Sequence, residues 1–168
     1  AGTALAAVYD VKTGVTWRLG QGGPQAAASV VKLDILETLL AERGRRAGLS
    51  ASDRSLAQQM IEDSDNTAAT SLWYEVGGGI RIRSFNTGAG LTHTSPSSCV
   101  QCPGFSWPGW GLTRTTPVDQ IALLKELIRP SSLITDADRA YALWLMEKVI
   151  PDQRWGVSGG VAGQATVA

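Results

Sequence analysis

The segment from Ser29 to Leu40 restricts the possible folds more than any other part of the chain. It reads Ser-Val-Val-Lys-Leu-Asp-Ile-Leu-Glu-Thr-Leu-Leu, with apolar residues at helical spacing. These residues are too numerous for a surface helix, which carries a single apolar stripe. We therefore expect a buried helix that begins near Ser29 and packs against other elements on several sides.

A β-hairpin is predicted before this helix. The runs Ala4 to Asp10 and Val15 to Leu19 are rich in β-prone residues, and a turn-like link that ends in Gly14 separates them. Gly20 to Gln25 is a linker of Gly, Gln and Pro residues that leads to the buried helix. The sequence thus begins with a small sheet.

Further helices are predicted after the buried one. Helical spacing and capping residues place them at residues 52–62, 67–76, 116–128 and 135–149. We expect Asn66 to be the N-cap of the helix over 67–76 and the glycines at 77–79 to end it. Residues 84–113 contain no Asp, Glu, Lys or Arg, and their prolines and tryptophans indicate a long, structured loop region.

The order of elements defines the fold class. A chain of 168 residues is long enough for one domain with a substantial core. Because two strands do not hold a sheet by themselves, we expect more strands beyond the last residue, so that 1–168 is a single, incomplete domain. We predict an α/β fold of the α+β sandwich type, with an antiparallel sheet formed by residues 1–27 and 150–168 and a helical lobe at 28–149.

The charge balance excludes several classes of partner. Fifteen basic and fifteen acidic residues give no net charge, so we expect no nucleic-acid partner. The basic cluster Arg43, Arg45 and Arg46 is interpreted as the charged end of a helix. Because no run reaches the roughly 18 apolar residues of a membrane span, we expect none in this chain.

Ser29 and Lys32 could form a nucleophile and its base. Their spacing at a helix start predicts that both side chains lie on one face. A lysine takes a proton from a serine hydroxyl only if burial or a nearby cation favours its neutral form. The pair arises about 0.3 times by chance in such a chain, so a capping serine followed by a solvated lysine is the alternative interpretation.

Ser64-Asp65-Asn66 strengthens the catalytic interpretation. This triplet is expected only about 0.01 times by chance in a chain of this composition, and it lies at the junction between two predicted helices. With these two motifs the chain resembles the penicillin-recognising serine hydrolases, and most closely the class A β-lactamases. The matching stretches are Ala28 to Lys32, Ser64 to Ala69 and the hairpin segment Val8 to Gly14.

The resemblance implies roles for four residues. Ser29 would be acylated by a β-lactam or related amide, and Lys32 would manage the proton. Ser64 would pass a proton to the leaving nitrogen, and Asn66 would bind the substrate's amide side chain and position Lys32. The resemblance also implies a small-molecule or peptide-like substrate and export from the cytoplasm. We expect a monomer with no metal or other cofactor.

The chain departs from the family pattern in its third motif and in its acids. Lys12-Thr13-Gly14 spells the family's Lys-Thr-Gly but lies in the hairpin turn, so we expect the functional triplet beyond Ala168. No Asp or Glu occurs between Glu75 and Asp119, where the family carries the glutamate that activates the deacylating water. His93 is a possible substitute base, and a loop histidine without catalytic role is the alternative.

The missing glutamate keeps two other functions open. A penicillin-binding peptidase or transpeptidase-like enzyme would deacylate slowly without a base. A β-lactamase-like binding protein would have lost turnover altogether.

Two further features lie in the uncharged region. Cys99 and Cys102 leave open a zinc site, a redox pair or a disulfide, and with the resemblance to exported enzymes we expect a disulfide. The six tryptophans are expected mainly in the core, with Trp107 and Trp110 as candidates to line the site.

Overall fold

The computed structural model describes residues 4–44, 46–105 and 107–154. Within them lie two antiparallel sheets of two strands each, six α-helices and three 3-10 turns. The strands are β1 (Ala6–Tyr9), β2 (Thr16–Leu19), β3 (Gln25–Ala26) and β4 (Arg114–Thr115). The helices are α1 (Val31–Gly44), α2 (Ala51–Glu62), α3 (Asn66–Glu75), α4 (Gly78–Gly88), α5 (Pro117–Ile128) and α6 (Asp136–Glu147). The 3-10 turns are Ala28–Val30, Gly109–Leu112 and Pro151–Gln153.

The predicted hairpin is confirmed. Strands β1 and β2 pair in a register that places Ala6 opposite Leu19 and Tyr9 opposite Thr16. The Asp10 side chain accepts hydrogen bonds within the turn, from Lys12 N at 2.8 Å among others, and Gly14 has a φ of +75° that favours glycine. The triplet at 12–14 is therefore part of this turn.

The predicted linker is wrong at its end, because Gln25 belongs to a strand. β3 pairs antiparallel with β4, and Ala27 N donates to Thr113 O at 2.8 Å. A two-residue strand has no periodic signal, and its partner lies far away in sequence, so the pattern could not reveal it. The pairing fixes the start of α1 against the segment before α5.

Helix α1 is the buried helix that the sequence predicts. Its apolar side chains Ile35, Leu36, Leu39 and Leu40 are at most 1% exposed, and the helix contacts α2, α3, α4 and α6. Each such side chain contributes about 1.5–3 kcal/mol on burial. The helix starts two residues later than predicted, at Val31, because Ala28–Val30 form a 3-10 turn.

Helix α4 corrects the prediction of a loop from residue 84. The glycines at 77–79 end α3, since Gly77 is left-handed with a φ of +93°, but a new helix begins at Gly78. Glycines are poor helix formers, so propensity hides this helix. Its buried residues Ile82 and Phe85 pack in the core and stabilise it.

The remaining helices follow their caps. The Thr116 and Thr135 side chains accept hydrogen bonds from Asp119 N and Asp138 N, as N-caps of α5 and α6. Residues 150–154, predicted as the start of a sheet segment, contain a 3-10 turn instead. The rest of that segment, including the β-like run at 165–168, lies outside the described residues.

The tryptophans are less buried than expected. Trp73 and Trp110 are in the core at 3% exposure, whereas three others are exposed: Trp17, Trp107 and Trp144. Trp155 lies outside the described residues. None of the helices in the described part of the chain has the length and apolar character needed to cross a membrane.

Candidate active site

The amine of Lys32 is buried between two helix starts. Lys32 is the second residue of α1 and is 3% exposed. Its Nζ donates to the Ser64 carbonyl oxygen, to Ser64 Oγ at 2.9 Å and to Asn66 Oδ1 at 2.8 Å. An ammonium group has three donors, so these three acceptors use them all.

The local structure before α3 presents these acceptors. Asp65 is the N-cap of α3, with its Oδ1 accepting from Ala68 N at 2.6 Å. The prediction that Asn66 is the cap is therefore wrong. Asn66 is the first helical residue, and its amide oxygen accepts from Lys32 instead. Because Asp65 takes the capping role, Asn66 remains available to the site.

Backbone strain is found at both serine motifs. Among the described residues, Ala28 and Ser64 are the non-glycine residues with positive φ, at +47° and +56°. This conformation costs roughly 1–3 kcal/mol per residue and occurs where the surrounding structure enforces it. The strained residues are Ala28, which precedes Ser29, and Ser64. Strain is therefore concentrated at the candidate site.

Trp110 covers the amine on another side. Its ring centroid lies 5.4 Å from Lys32 Nζ, and its indole Nε1 donates to Thr70 Oγ1 at 3.1 Å. Trp110 thus lines the site as predicted. Trp107 is 41% exposed and has no ring contact with Lys32 in the part of the chain that the structure describes.

Burial lowers the pKa of Lys32 to about 8. Removal of water from the charged amine is the main cause, and the nearby negative charge of Asp65 acts in the opposite direction. A lysine with this pKa is partly neutral near pH 7, which an ordinary lysine is not. The amine is therefore suited to accept a proton.

Ser29 lies at the open rim of this arrangement. It is exposed, in the 3-10 turn that precedes α1. Within the described residues its hydroxyl makes no hydrogen bond to Lys32, whose donors are directed at Ser64 and Asn66. The structure thus brings Lys32, Ser64 and Asn66 together, and it places Ser29 three residues before the lysine without a direct bond between them.

His93 lies in a different cavity. Its side chain is 68% exposed, with Nδ1 3.8 Å from Asp119 Oδ1, and its backbone N donates to Asp119 Oδ2 at 2.7 Å. Together with Arg18 it lines a cavity of about 450 Å³ beside the hairpin. None of the contacts described for the Lys32 amine involves His93.

A disulfide supports the segment that carries Trp110. Cys99 and Cys102 are bonded to each other, as expected. Gly109 N donates to Cys99 O at 2.9 Å, and a Cβ at Gly109 would overlap Cys102 Sγ. The disulfide therefore packs directly against the residue before Trp110.

Two buried acids on α1 were not assigned a role from the sequence. Asp34 and Glu37 are 1% and 0% exposed, and Asp34 Oδ2 accepts from Asn86 Nδ2 at 2.9 Å. Burial raises the pKa of Asp34 to about 7 and that of Glu37 well above its usual value. The sequence signal for this pair is the position of both acids among the apolar residues at 33–40.

These features together define a class of protein. A helical lobe with small antiparallel sheets, in which a Ser-x-x-Lys turn faces a Ser-Asp-Asn turn, has the fold of the serine β-lactamases, and the predicted fold class is confirmed. The chain belongs to the beta-lactamase enzyme family, whose model matches residues 42–158. No curated protein matches it significantly.

Solved structures share this fold. A β-lactamase from Desulfarculus baarsii is 18% identical, with a TM-score of 0.70 over 89% of this chain and 64% of that one. A class A β-lactamase from Mycobacterium abscessus is 18% identical, with a TM-score of 0.66 over 89% and 66%. A β-lactamase from Chitinophaga pinensis is 15% identical, with a TM-score of 0.76 over 97% and 70%. The chain thus spans about two thirds of their length.

Proposed function

We propose that this chain is a serine hydrolase of the class A β-lactamase type, acylated at Ser29 by β-lactams or related amides. The observation that carries the proposal is the buried Lys32 amine, which contacts Ser64 and Asn66 and has a pKa lowered to about 8. An amine of this kind serves as a general base near neutral pH.

The proposed acylation uses three side chains. Ser29 Oγ attacks the lactam carbonyl carbon, and neutral Lys32 takes the hydroxyl proton. The carbon–nitrogen bond of the lactam then breaks, and the proton passes through the Ser64 hydroxyl to the leaving nitrogen. Asn66 holds the amide side chain of the substrate while its oxygen keeps Lys32 in position. The product is an ester between Ser29 and the opened lactam.

A second candidate, a penicillin-binding peptidase with slow deacylation, is favoured by the missing acid. Hydrolysis of the ester needs a base to activate water, and a general base typically contributes 10²–10⁴-fold. The sequence has no Asp or Glu between Glu75 and Asp119. An enzyme of this type would acylate Ser29 with the same residues and retain the adduct.

Location and assembly complete the proposal. We propose an exported, monomeric protein with a small-molecule or peptide-like substrate and no cofactor. The disulfide between Cys99 and Cys102 supports an oxidising compartment, where such bonds persist.

The test is the intact mass of the protein after mixing with benzylpenicillin, followed over time and mapped to a peptide. We expect an adduct of one penicillin on Ser29, absent from Ser29→Ala and present in the control Ser52→Ala, which alters an exposed serine on α2. A transient adduct with continued consumption indicates a β-lactamase, and a persistent one indicates the slow peptidase. No adduct and no consumption of benzylpenicillin, with Ser29→Ala behaving like the unmodified chain, contradict both and leave a binding protein.

A further inference from the structure

We infer that Trp110 is a positioning residue for Lys32: its indole ring closes the amine off from water, so that Lys32 serves as a base for Ser29. This inference deepens the proposed function and rests on it for the catalytic consequence. The enclosure itself is a property of the free protein and is testable without a substrate.

The geometry shows how the amine is enclosed. Ser64 and Asn66 supply acceptors from the start of α3, and the Trp110 ring covers the amine at 5.4 Å. Trp110 has no hydrogen-bond acceptor to offer in place of water. It therefore occupies space beside the charge without replacing hydration by a hydrogen bond.

Two effects of the ring on the amine oppose each other. A ring face attracts an ammonium group, which favours the charged form by about 0.5–2 kcal/mol. Exclusion of water favours the neutral form. Burial is the main cause of the lowered pKa of Lys32. At 5.4 Å from the ring centroid the amine lies near the outer limit of a cation-π contact, so we expect exclusion of water to be the larger of the two effects.

Few charged groups oppose the lowering of the Lys32 pKa by exclusion of water. Asp65, at the start of α3, is the charged group that acts on the amine, and it raises the pKa of Lys32. Ser64 and Asn66 are uncharged, and the whole segment from 84 to 113 that carries Trp110 has no charged residue. Trp110 is thus an uncharged cover contributed by an uncharged segment.

Hydrogen bonds tie Trp110 to helix α3 and to the segment before Ser29. Its indole nitrogen donates to Thr70 Oγ1 on α3 at 3.1 Å. Thr113 N donates to Trp110 O at 3.1 Å, and Thr113 O accepts from Ala27 N, two residues before Ser29. The ring is therefore fixed relative to both motif-bearing segments.

The experiment is an NMR titration of 13Cε-labelled lysines, with the Lys32 signal assigned by Lys32→Arg. In Trp110→Ala we expect the Lys32 midpoint to rise from about 8 towards the ordinary value of about 10.4. In Trp110→Leu, which keeps an apolar cover and removes the ring face, we expect it to remain near 8 or lower. Trp107→Ala, an exposed tryptophan of the same segment, is the matched control and leaves it unchanged.

Thr70→Val provides a second variant in case Trp110→Ala fails to fold. It removes the bond to the indole nitrogen and keeps the shape of the side chain, so we expect a smaller rise of the Lys32 midpoint. An unchanged midpoint in both Trp110→Ala and Thr70→Val overturns the inference. If Trp110→Ala does not fold, an unchanged midpoint in Thr70→Val overturns it.

Acylation of Ser29 by benzylpenicillin gives the catalytic readout. In Trp110→Ala we expect the rate at pH 7 to fall about tenfold or more, because a smaller share of Lys32 is neutral, while the limiting rate at high pH is retained. Loss of the limiting rate with an unchanged midpoint overturns the positioning role in favour of a structural one. Absence of both a Ser29 adduct and penicillin consumption in the unmodified chain contradicts the proposed function, and the lysine titration then decides the enclosure by itself.

Discussion

The ionisable side chains of helix α1 show how burial and local hydrogen-bond partners together set the pKa of a group. Lys32 has three oxygen acceptors, whereas neither carboxylate oxygen of Glu37 has a hydrogen-bond partner among the described residues. Asp34 has one donor, Asn86. A buried charge without partners is costly, so the neutral form is favoured. Burial therefore lowers the pKa of the base at the start of α1 and raises the pKa of the two acids further along it.

The buried acid predicts a pH dependence of stability. The pKa of Asp34 is about 7 in the folded chain and about 3.9 when unfolded. The folded state therefore retains a proton that the unfolded state releases, and the free energy of unfolding falls as pH rises from about 4 through 7, by up to about 1.4 kcal/mol per unit. Asp34→Asn removes this contribution, so we expect a shallower decline in urea titrations between pH 5 and 8.

Asp63→Asn, on the exposed end of α2, is the matched control for this comparison. Its decline should follow that of the unmodified chain. Equal slopes for Asp34→Asn and the unmodified chain would show that Asp34 does not hold a proton in the folded state.

At the scale of the element, the turn before α3 has two functions. Asp65 caps the helix and also places a negative charge near Lys32. The sequence predicted a cap here but assigned it to Asn66, because Asp and Asn are about equally good N-caps and their side-chain directions are not visible in a pattern. The tertiary contact with Lys32 decides which residue caps the helix.

Substitutions of Asp65 separate the two functions. Asp65→Asn keeps a good cap and removes the charge, so we expect unchanged stability, a lower pKa of Lys32 and faster acylation of Ser29 at pH 7. Asp65→Ala removes both, and its free energy of unfolding should fall by about 1 kcal/mol. Urea titration and the rate of penicillin labelling measure the two effects. An Asp65→Asn variant that acylates more slowly than the unmodified chain would contradict the electrostatic role.

Helix α4 shows where element prediction fails. The left-handed glycines Gly77 and Gly78 separate it from the preceding helix, and Gly78 is also its first residue. Propensity alone argues against a helix there, and the buried contacts of Ile82 and Phe85 outweigh it. Helices with strong caps, such as α5 and α6, were predicted closely because Thr116 and Thr135 are local signals.

At the scale of the whole molecule, the sequence predicted the meeting of two motifs but not what covers them. The Ser-x-x-Lys and Ser-Asp-Asn segments both lie at helix starts, and the resemblance implied that they face each other. The position of the Trp110 ring and the β3–β4 pairing depend on contacts between segments distant in sequence. Such contacts leave no periodic trace, so the sequence indicated Trp110 only as a candidate.

The central claim is that a buried, partly neutral Lys32 activates Ser29. The most direct measurement is the rate of Ser29 acylation by benzylpenicillin in the unmodified chain from pH 5 to 10. We predict that the rate rises about tenfold per pH unit below pH 8 and levels off above it, following the pKa of Lys32 at about 8. A rate that does not change with pH, or one that is still rising at pH 10, would contradict the claim.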